Sequence, residues 1–294
     1  MEYIYVCNTG SHDVSQVCLG TLMEERIKLN NVDDENVGPH GICGYKENLL
    51  IANSYDNTLC KINCATDSIE SYYIGAHCTD VAVQEDSAFI ACGEGNCIIV
   101  FDLKENKIIS EMPCGVFPHN IEISNSTKIG LVANMLNDSI YMFNCESKDI
   151  LKNIRVGAYP TKAIFLNSSK EILVCESHLG EDKEGSISIY STENCKLIKR
   201  AKVGFAPVDM CLDNSLSIVA VSNFQEGTIS LIDISSLKEL KRIPIGGMPR
   251  GILQKNRQLY VGDNYLNELK VIDIVTNKIK VIPLGKEPNG MTFY

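Results

Sequence analysis

One phrase returns along the whole of this chain. It is a short β-rich run, a glycine, two further residues, a proline and then a fresh apolar run. Gly115 to Pro118, Gly157 to Pro160, Gly204 to Pro207, Gly246 to Pro249 and Gly285 to Pro288 are complete copies. Two copies are degenerate. Ile74-Gly75-Ala76-His77-Cys78 carries cysteine in the proline slot, and Glu35-Asn36-Val37-Gly38-Pro39 keeps the proline but moves the glycine. The slots fall at 39, 78, 118, 160, 207, 249 and 288, so the spacings are 39, 40, 42, 47, 42 and 39 residues. That period fits a four-stranded propeller blade or a helical-hairpin solenoid. The segments between slots are short, β-branched and alternating, with no sustained helical stripe, which selects the blade.

Each unit divides into four strands, a to d. In the unit after Pro207 the pattern predicts them over 209–212, 217–222, 228–233 and 239–245. All nine prolines (39, 113, 118, 160, 207, 244, 249, 283 and 288) fall in strand d or in the link to the next strand a. Proline cannot donate to a ladder, so strand d is an outer edge. The last unit supplies one strand, 289–294, while the first three strands, 3–7, 14–19 and 26–30, lack a strand a before them. The expected fold is therefore all-β: a seven-bladed β-propeller of four-stranded blades, with 1–294 as a single domain. Its closing blade joins three N-terminal strands to the C-terminal strand, which removes open sheet edges.

Tyr5-Val6-Cys7-Asn8-Thr9-Gly10-Ser11-His12-Asp13-Val14-Ser15 resembles the YVTN-type propeller repeat. So do Leu50-Ile51-Ala52-Asn53-Ser54 and Leu131-Val132-Ala133-Asn134, and the later Ile232-Asp233 and Ile243-Pro244-Ile245-Gly246 steps also fit. The resemblance spans essentially the whole chain and implies the propeller fold. That family hosts surface-layer proteins, electron-transfer subunits and cytosolic proteins, so it implies no one activity.

Composition removes several function classes. The formal charge is −10 and no Lys/Arg-rich run stands out, which argues against a nucleic-acid partner. The opening MEYIYVCNTG lacks the pattern of an export signal, and no apolar run approaches the length of a membrane helix. A cytoplasmic protein with no membrane partner is expected. The thirteen cysteines then read as reduced thiols. Cys60/Cys64 and Cys92/Cys97 are not CxxC pairs and lack second pairs at zinc spacing, so no metal is expected, and no cofactor is named by any motif.

The end of strand b also repeats. Cys7, Ala52, Cys92, Ala133, Cys175, Ser222 and Gly262 fill one small-residue position, and the three cysteines there read as packing. Asn8, Asn53, Asn134 and Asn223 follow and are expected to bond local backbone. Glu176, Asp263 and Gly93 stand in that slot elsewhere, and the two carboxylates become candidate site residues.

Function in a propeller is expected on the face carrying the d-to-a and b-to-c links, at the channel mouth. The residue after each slot reads His40, Thr79, His119, Thr161, Val208, Arg250 and Asn289. The next reads Gly41, Asp80, Asn120, Lys162, Asp209, Gly251 and Gly290. All five histidines lie in links of this face, with His178 in the longest b-to-c insertion, Ser177 to Gly185, placed to overhang the mouth. A metal would need ligands converging from separate blades around a wide mouth. One reading is a binding module, in which His40, Thr79, Asp80, His119, Lys162, Glu176, His178, Asp209, Arg250, Asp263 and Asn289 hold a polar or anionic small molecule or a protein partner's group. A second is an enzyme of lactonase or lyase type, with His40 or His119 as general base, oriented by Asp80, Asp209 or Glu176, and Arg250 stabilising negative charge. Gly38-Pro39-His40 is faintly similar to steps of phosphogluconolactonases. A third is a protein-interaction scaffold with exposed apolar patches.

Overall fold

A computed structural model describes residues 2–29, 36–166, 169–213 and 217–294. Asn30, expected to end a strand, and Glu35 lie outside the described residues. Among the described residues, twenty-eight strands pair into seven four-stranded antiparallel sheets. The unit after Pro207 is built from Pro207–Asp213, Ile218–Asn223, Thr228–Asp233 and Lys238–Pro244, close to the sequence expectation. Blades are numbered one to six from Pro39, Cys78, Pro118, Pro160, Pro207 and Pro249. The closing blade orders Pro288–Phe293 beside Tyr3–Asn8, then Asp13–Cys18 and Glu24–Lys28. No helix among the described residues is long and apolar enough to cross a membrane.

The apolar core is divided among seven clusters, one in each seam between neighbouring blades. Strand b is buried almost throughout because both its faces pack against neighbouring blades. Each fully buried Leu or Ile in these seams contributes about 1.5–3 kcal/mol. Strand d is largely exposed, and Pro113, Pro244 and Pro283 sit there on the solvent edge.

In blades three and five the repeated glycine and the repeated asparagine form one device, whereas the Asn8 and Asn53 amides bond only side chains near the start of strand c and leave Oδ1 without a partner among the described residues. Asn134 Oδ1 accepts the Gly115 N–H at 3.1 Å, while its Nδ2 donates to Ser139 Oγ on strand c at 3.2 Å. Asn223 does the same with Gly204 N–H at 3.1 Å, Thr228 Oγ1 at 3.0 Å and Ser230 Oγ at 2.9 Å. The side chain thereby ties the link to strands b and c of its own blade. It also lies flat on the glycine: a Cβ at Gly115 would stand 2.6 Å from Asn134 Cγ. Glycine is required here by close approach.

Two blades use a carboxylate and add a base to match. Glu176 takes hydrogen bonds from Gly157 N–H, Ser186, Ser188 and Tyr190, and Arg200 meets it at 2.9 Å. Asp263 accepts from Met248 N–H at 3.0 Å and pairs with the buried Lys270 at 2.6 Å. Burial would raise both carboxyls, but these donors outweigh it and hold them below the usual range.

Blade two breaks the pattern differently from the sequence expectation. Its pairing sets Cys78 opposite Cys92 and Cys92 opposite Cys97, where blade three has Pro118, Asn134 and Ser139. Cys92, not Gly93, therefore occupies the asparagine position, and Ala91 is the small residue before it. Three thiols in hydrogen-bonding contact replace the proline–amide–hydroxyl set of the latch. Cys7 and Cys175 are fully buried small residues, as expected.

The latch gives a stability prediction. Asn134→Ala leaves the Gly115 N–H unpaired and should cost about 1–3 kcal/mol. Gly115→Ala overpacks the same spot at a similar cost. Denaturant unfolding of the double variant should fall short of the summed loss by about 1 kcal/mol or more, because one contact is removed twice. Strict additivity would contradict the latch.

Candidate functional site

The start of strand a is irregular in every blade, and this builds the site. In blades one to five the pairing of a with b skips the residue after the slot: 40, 79, 119, 161 and 208. In blade six the break lies between Pro249 and Ile252. A bulged residue leaves the ladder and its side chain is re-aimed. His40, His119 and Arg250 are sent into the mouth of a channel cavity of about 580 Å³.

The mouth is narrower than expected. The His40 and His119 rings, from blades one and three, meet edge to face with centroids 5.5 Å apart. Part of the cause is a run of glycines in blade six, the closing blade and blade one. A Cβ at Gly251 would stand 2.1 Å from Asn289 O, and one at Gly290 would stand 2.2 Å from His40 O. The inner strands on that side pack backbone to backbone. Arg250 consequently reaches past Asn289, donating from Nε to its Oδ1 at 2.7 Å, and from Nη2 to His40 Nε2 at 3.3 Å.

Hydrogen bonding fixes both imidazoles. His40 Nδ1 lies 2.6 Å from Thr79 O and His119 Nδ1 lies 3.0 Å from Thr161 O. A carbonyl only accepts, so each Nδ1 carries the proton and each Nε2 keeps a lone pair in the neutral ring. Arg250 uses that of His40. The Nε2 of His119 has no partner among the described residues. Burial, and then the Arg250 charge, lower His119 to about 4 and hold His40 well below its ordinary value. Arg250 itself is lowered by burial. Its hydrogen-bond partners are neutral, so a guanidinium stands at the mouth without an anion in contact.

A second layer lies deeper. Lys162 pairs with Asp209 at 2.5 Å, and this contact outweighs the lowering that burial alone would impose on the lysine. Asp209 also accepts from Ile252 N–H, and Asp80 accepts from Ile121 N–H and Asn120, so both carboxylates brace the next blade. Burial still raises Asp80 to about 6. Glu122 joins this layer and was not anticipated. Burial raises it to about 7 against the pull of Lys162. Reading the repeat four residues past the slot would have found it: Cys43, Ala82, Glu122, Ile164, Cys211, Leu253 and Thr292 include a single charge.

Other candidates present no free polar side chain to the mouth or lie outside it. Thr79 and Thr161 are buried and serve through their carbonyls; Thr79 Oγ1 also donates to Pro118 O at 2.8 Å. Val208 lines the cavity without polar chemistry. Glu176 and Asp263 are sealed in their blade latches, outside the channel lining, which corrects the reading of them as site residues. His178 turns to Glu181 at 3.2 Å within its own loop, and it is the neighbouring Leu179 that overhangs the cavity, beside His77, Phe117 and Met135. Among the described residues no three His, Cys, Asp or Glu side chains are placed to hold a metal. Tyr55, Leu136, Tyr265 and Leu266 are exposed apolar side chains on b-to-c turns of this face.

No protein-family model and no curated protein matches the chain. Its fold is shared with solved structures. A functionally unknown protein from Desulfotomaculum acetoxidans superposes with a TM-score of 0.83 at 16% identity, covering 99% of this chain and 98% of that one. A chain of Kuenenia stuttgartiensis hydrazine synthase superposes with a TM-score of 0.79 at 15% identity, covering 88% and 90%. At these identities the likeness shows the propeller fold alone.

The depressed His119 pKa sets a pH signature. The ring should stay neutral, by its ¹³C and ¹⁵N shifts, from pH 8 down to about 4. Unfolded chain takes up this proton near pH 6.5, so His119's contribution to stability is present above that pH and is lost as pH falls toward 4. Half-protonation near pH 6.5 in the native state would contradict the burial and tautomer described.

Proposed function

We propose that this propeller binds a small organic carboxylate at the top mouth of its channel. The observation that carries the reading is Arg250: a guanidinium sunk in the mouth, hydrogen-bonded only to neutral Asn289 and His40. Taking such a charge from water is costly unless an anion or further hydrogen bonds compensate it. Its fork suits a carboxylate. His119 Nε2 accepts a hydrogen bond from a donor on the ligand, and Phe117, Met135 and Leu179 cover an apolar body. A cavity of about 580 Å³ matches small-molecule size.

The geometry favours binding over hydrolysis or elimination. His40 and His119 are each oriented by a carbonyl and neither by a carboxylate, and a pKa near 4 leaves His119 a weak base at neutrality. Asp80 and Asp209 are engaged in bracing blades. We also read the chain as a YVTN-type repeat protein, on the strand-b asparagines that form the latch. The thirteen free thiols fit a reducing, cytoplasmic setting.

Calorimetry with hexanoate tests the proposal. The wild type should bind it, and Arg250→Gln should weaken binding by about tenfold or more while retaining the native circular dichroism spectrum. Equal binding by the variant would overturn the assignment of Arg250.

A further inference from the structure

The lower layer of the channel carries more negative charge than its own cations answer. Asp80, Glu122 and Asp209 face the cavity together with a single lysine, Lys162. That lysine is committed to Asp209 at 2.5 Å. Asp80 is hydrogen-bonded by Val81 N–H, Ile121 N–H and Asn120 Nδ2, all uncharged. Glu122 has no hydrogen-bond partner among the described residues and lines the channel, partly buried. Its neighbours in charge are Lys162 and Asp80. A carboxylate so placed is favoured as an anion when something cationic enters the cavity beside it, and otherwise holds a proton up to about pH 7.

The two layers share one cavity. Glu122 stands three residues beyond His119 on the same strand, which is about 10 Å along the channel. The upper layer presents an unanswered guanidinium and the lower layer presents unanswered carboxylates. Ile121, Ile252 and Met291 are among the apolar residues lining the same cavity.

We propose that the ligand held at Arg250 also carries an ammonium group, seated lower in the channel against Glu122 and Asp80, so that the preferred class is an aminocarboxylate with its charges at opposite ends. This rests on the anion site proposed above. In that arrangement the ligand replaces the missing counter-ions of both layers at once, and a plain carboxylate replaces only one. Glu122 also supplies selection: it repels a second carboxylate, so dicarboxylates are disfavoured.

Paired probes test this. Affinities of 6-aminohexanoate and hexanoate are measured at pH 8 on the wild type, Glu122→Gln, Asp80→Asn and Arg250→Gln. The wild type should prefer the aminocarboxylate by about tenfold or more, the worth of one charged hydrogen bond. In Glu122→Gln the ratio of the two affinities should fall to about one, and in Asp80→Asn it should fall partway. Equal wild-type affinities, or a preference that survives Glu122→Gln, would overturn the inference. If hexanoate binds the wild type, is lost in Arg250→Gln, and the amine adds nothing, the anion site stands and this inference fails alone. If neither probe binds the wild type, both fail.

Discussion

The contact between the last residue of strand b and the glycine of the d-to-a link organises much else in this molecule. In blades three to six the amide or carboxylate at that position accepts a link N–H that would otherwise be buried without a partner, and in blades three to five it also reaches hydroxyls of strand c. The slot residue opens strand a, and the next residue leaves the ladder as a bulge, in blades that have the amide latch and in blade two, where thiols replace it. That bulge supplies the mouth. Where the latch residue is ionic, as at Glu176 and Asp263, a base on the same blade balances it, because an unpaired buried charge would cost several kcal/mol. Where it is Cys92, its two partners are thiols as well, so the whole row has changed together.

Much of this was legible in one dimension. The glycine–proline period gave the blade count, and the prolines marked the outer edge because they cannot donate to a ladder. The unmatched first three strands implied closure, observed as Pro288–Phe293 pairing with Tyr3–Asn8. The convergence of His40, His119 and Arg250 was expressed only as a ring of positions. Sequence cannot show that Gly251, Gly290 and Gly41, on three neighbouring blades, let one side of the ring pack backbone to backbone.

The errors have physical causes. Glu176 and Asp263 departed from the asparagine consensus and so read as functional, yet Arg200 and Lys270 lie on other strands, and only pairing register brings them alongside. In blade two a shift of one residue moved the apparent asparagine slot onto Gly93, since no asparagine was there to anchor it. Glu122 does not show in the two positions that follow each slot, because it lies four residues past its own. Side chains on one face of a strand recur every second residue, and the channel is lined further down than its mouth.

Arg250 is the proposed anion anchor inside the channel. The most direct measurement is a crystal structure of the protein with hexanoate. The carboxylate should lie within hydrogen-bond distance of the Arg250 guanidinium, with the aliphatic chain inside the cavity, beside Phe117, Met135 or Leu179 at the mouth or Ile121, Ile252 or Met291 below it. Hexanoate found instead on the outer turns near Tyr55, Leu136 or Tyr265, with Arg250 still bonded only to Asn289 and His40, would contradict it.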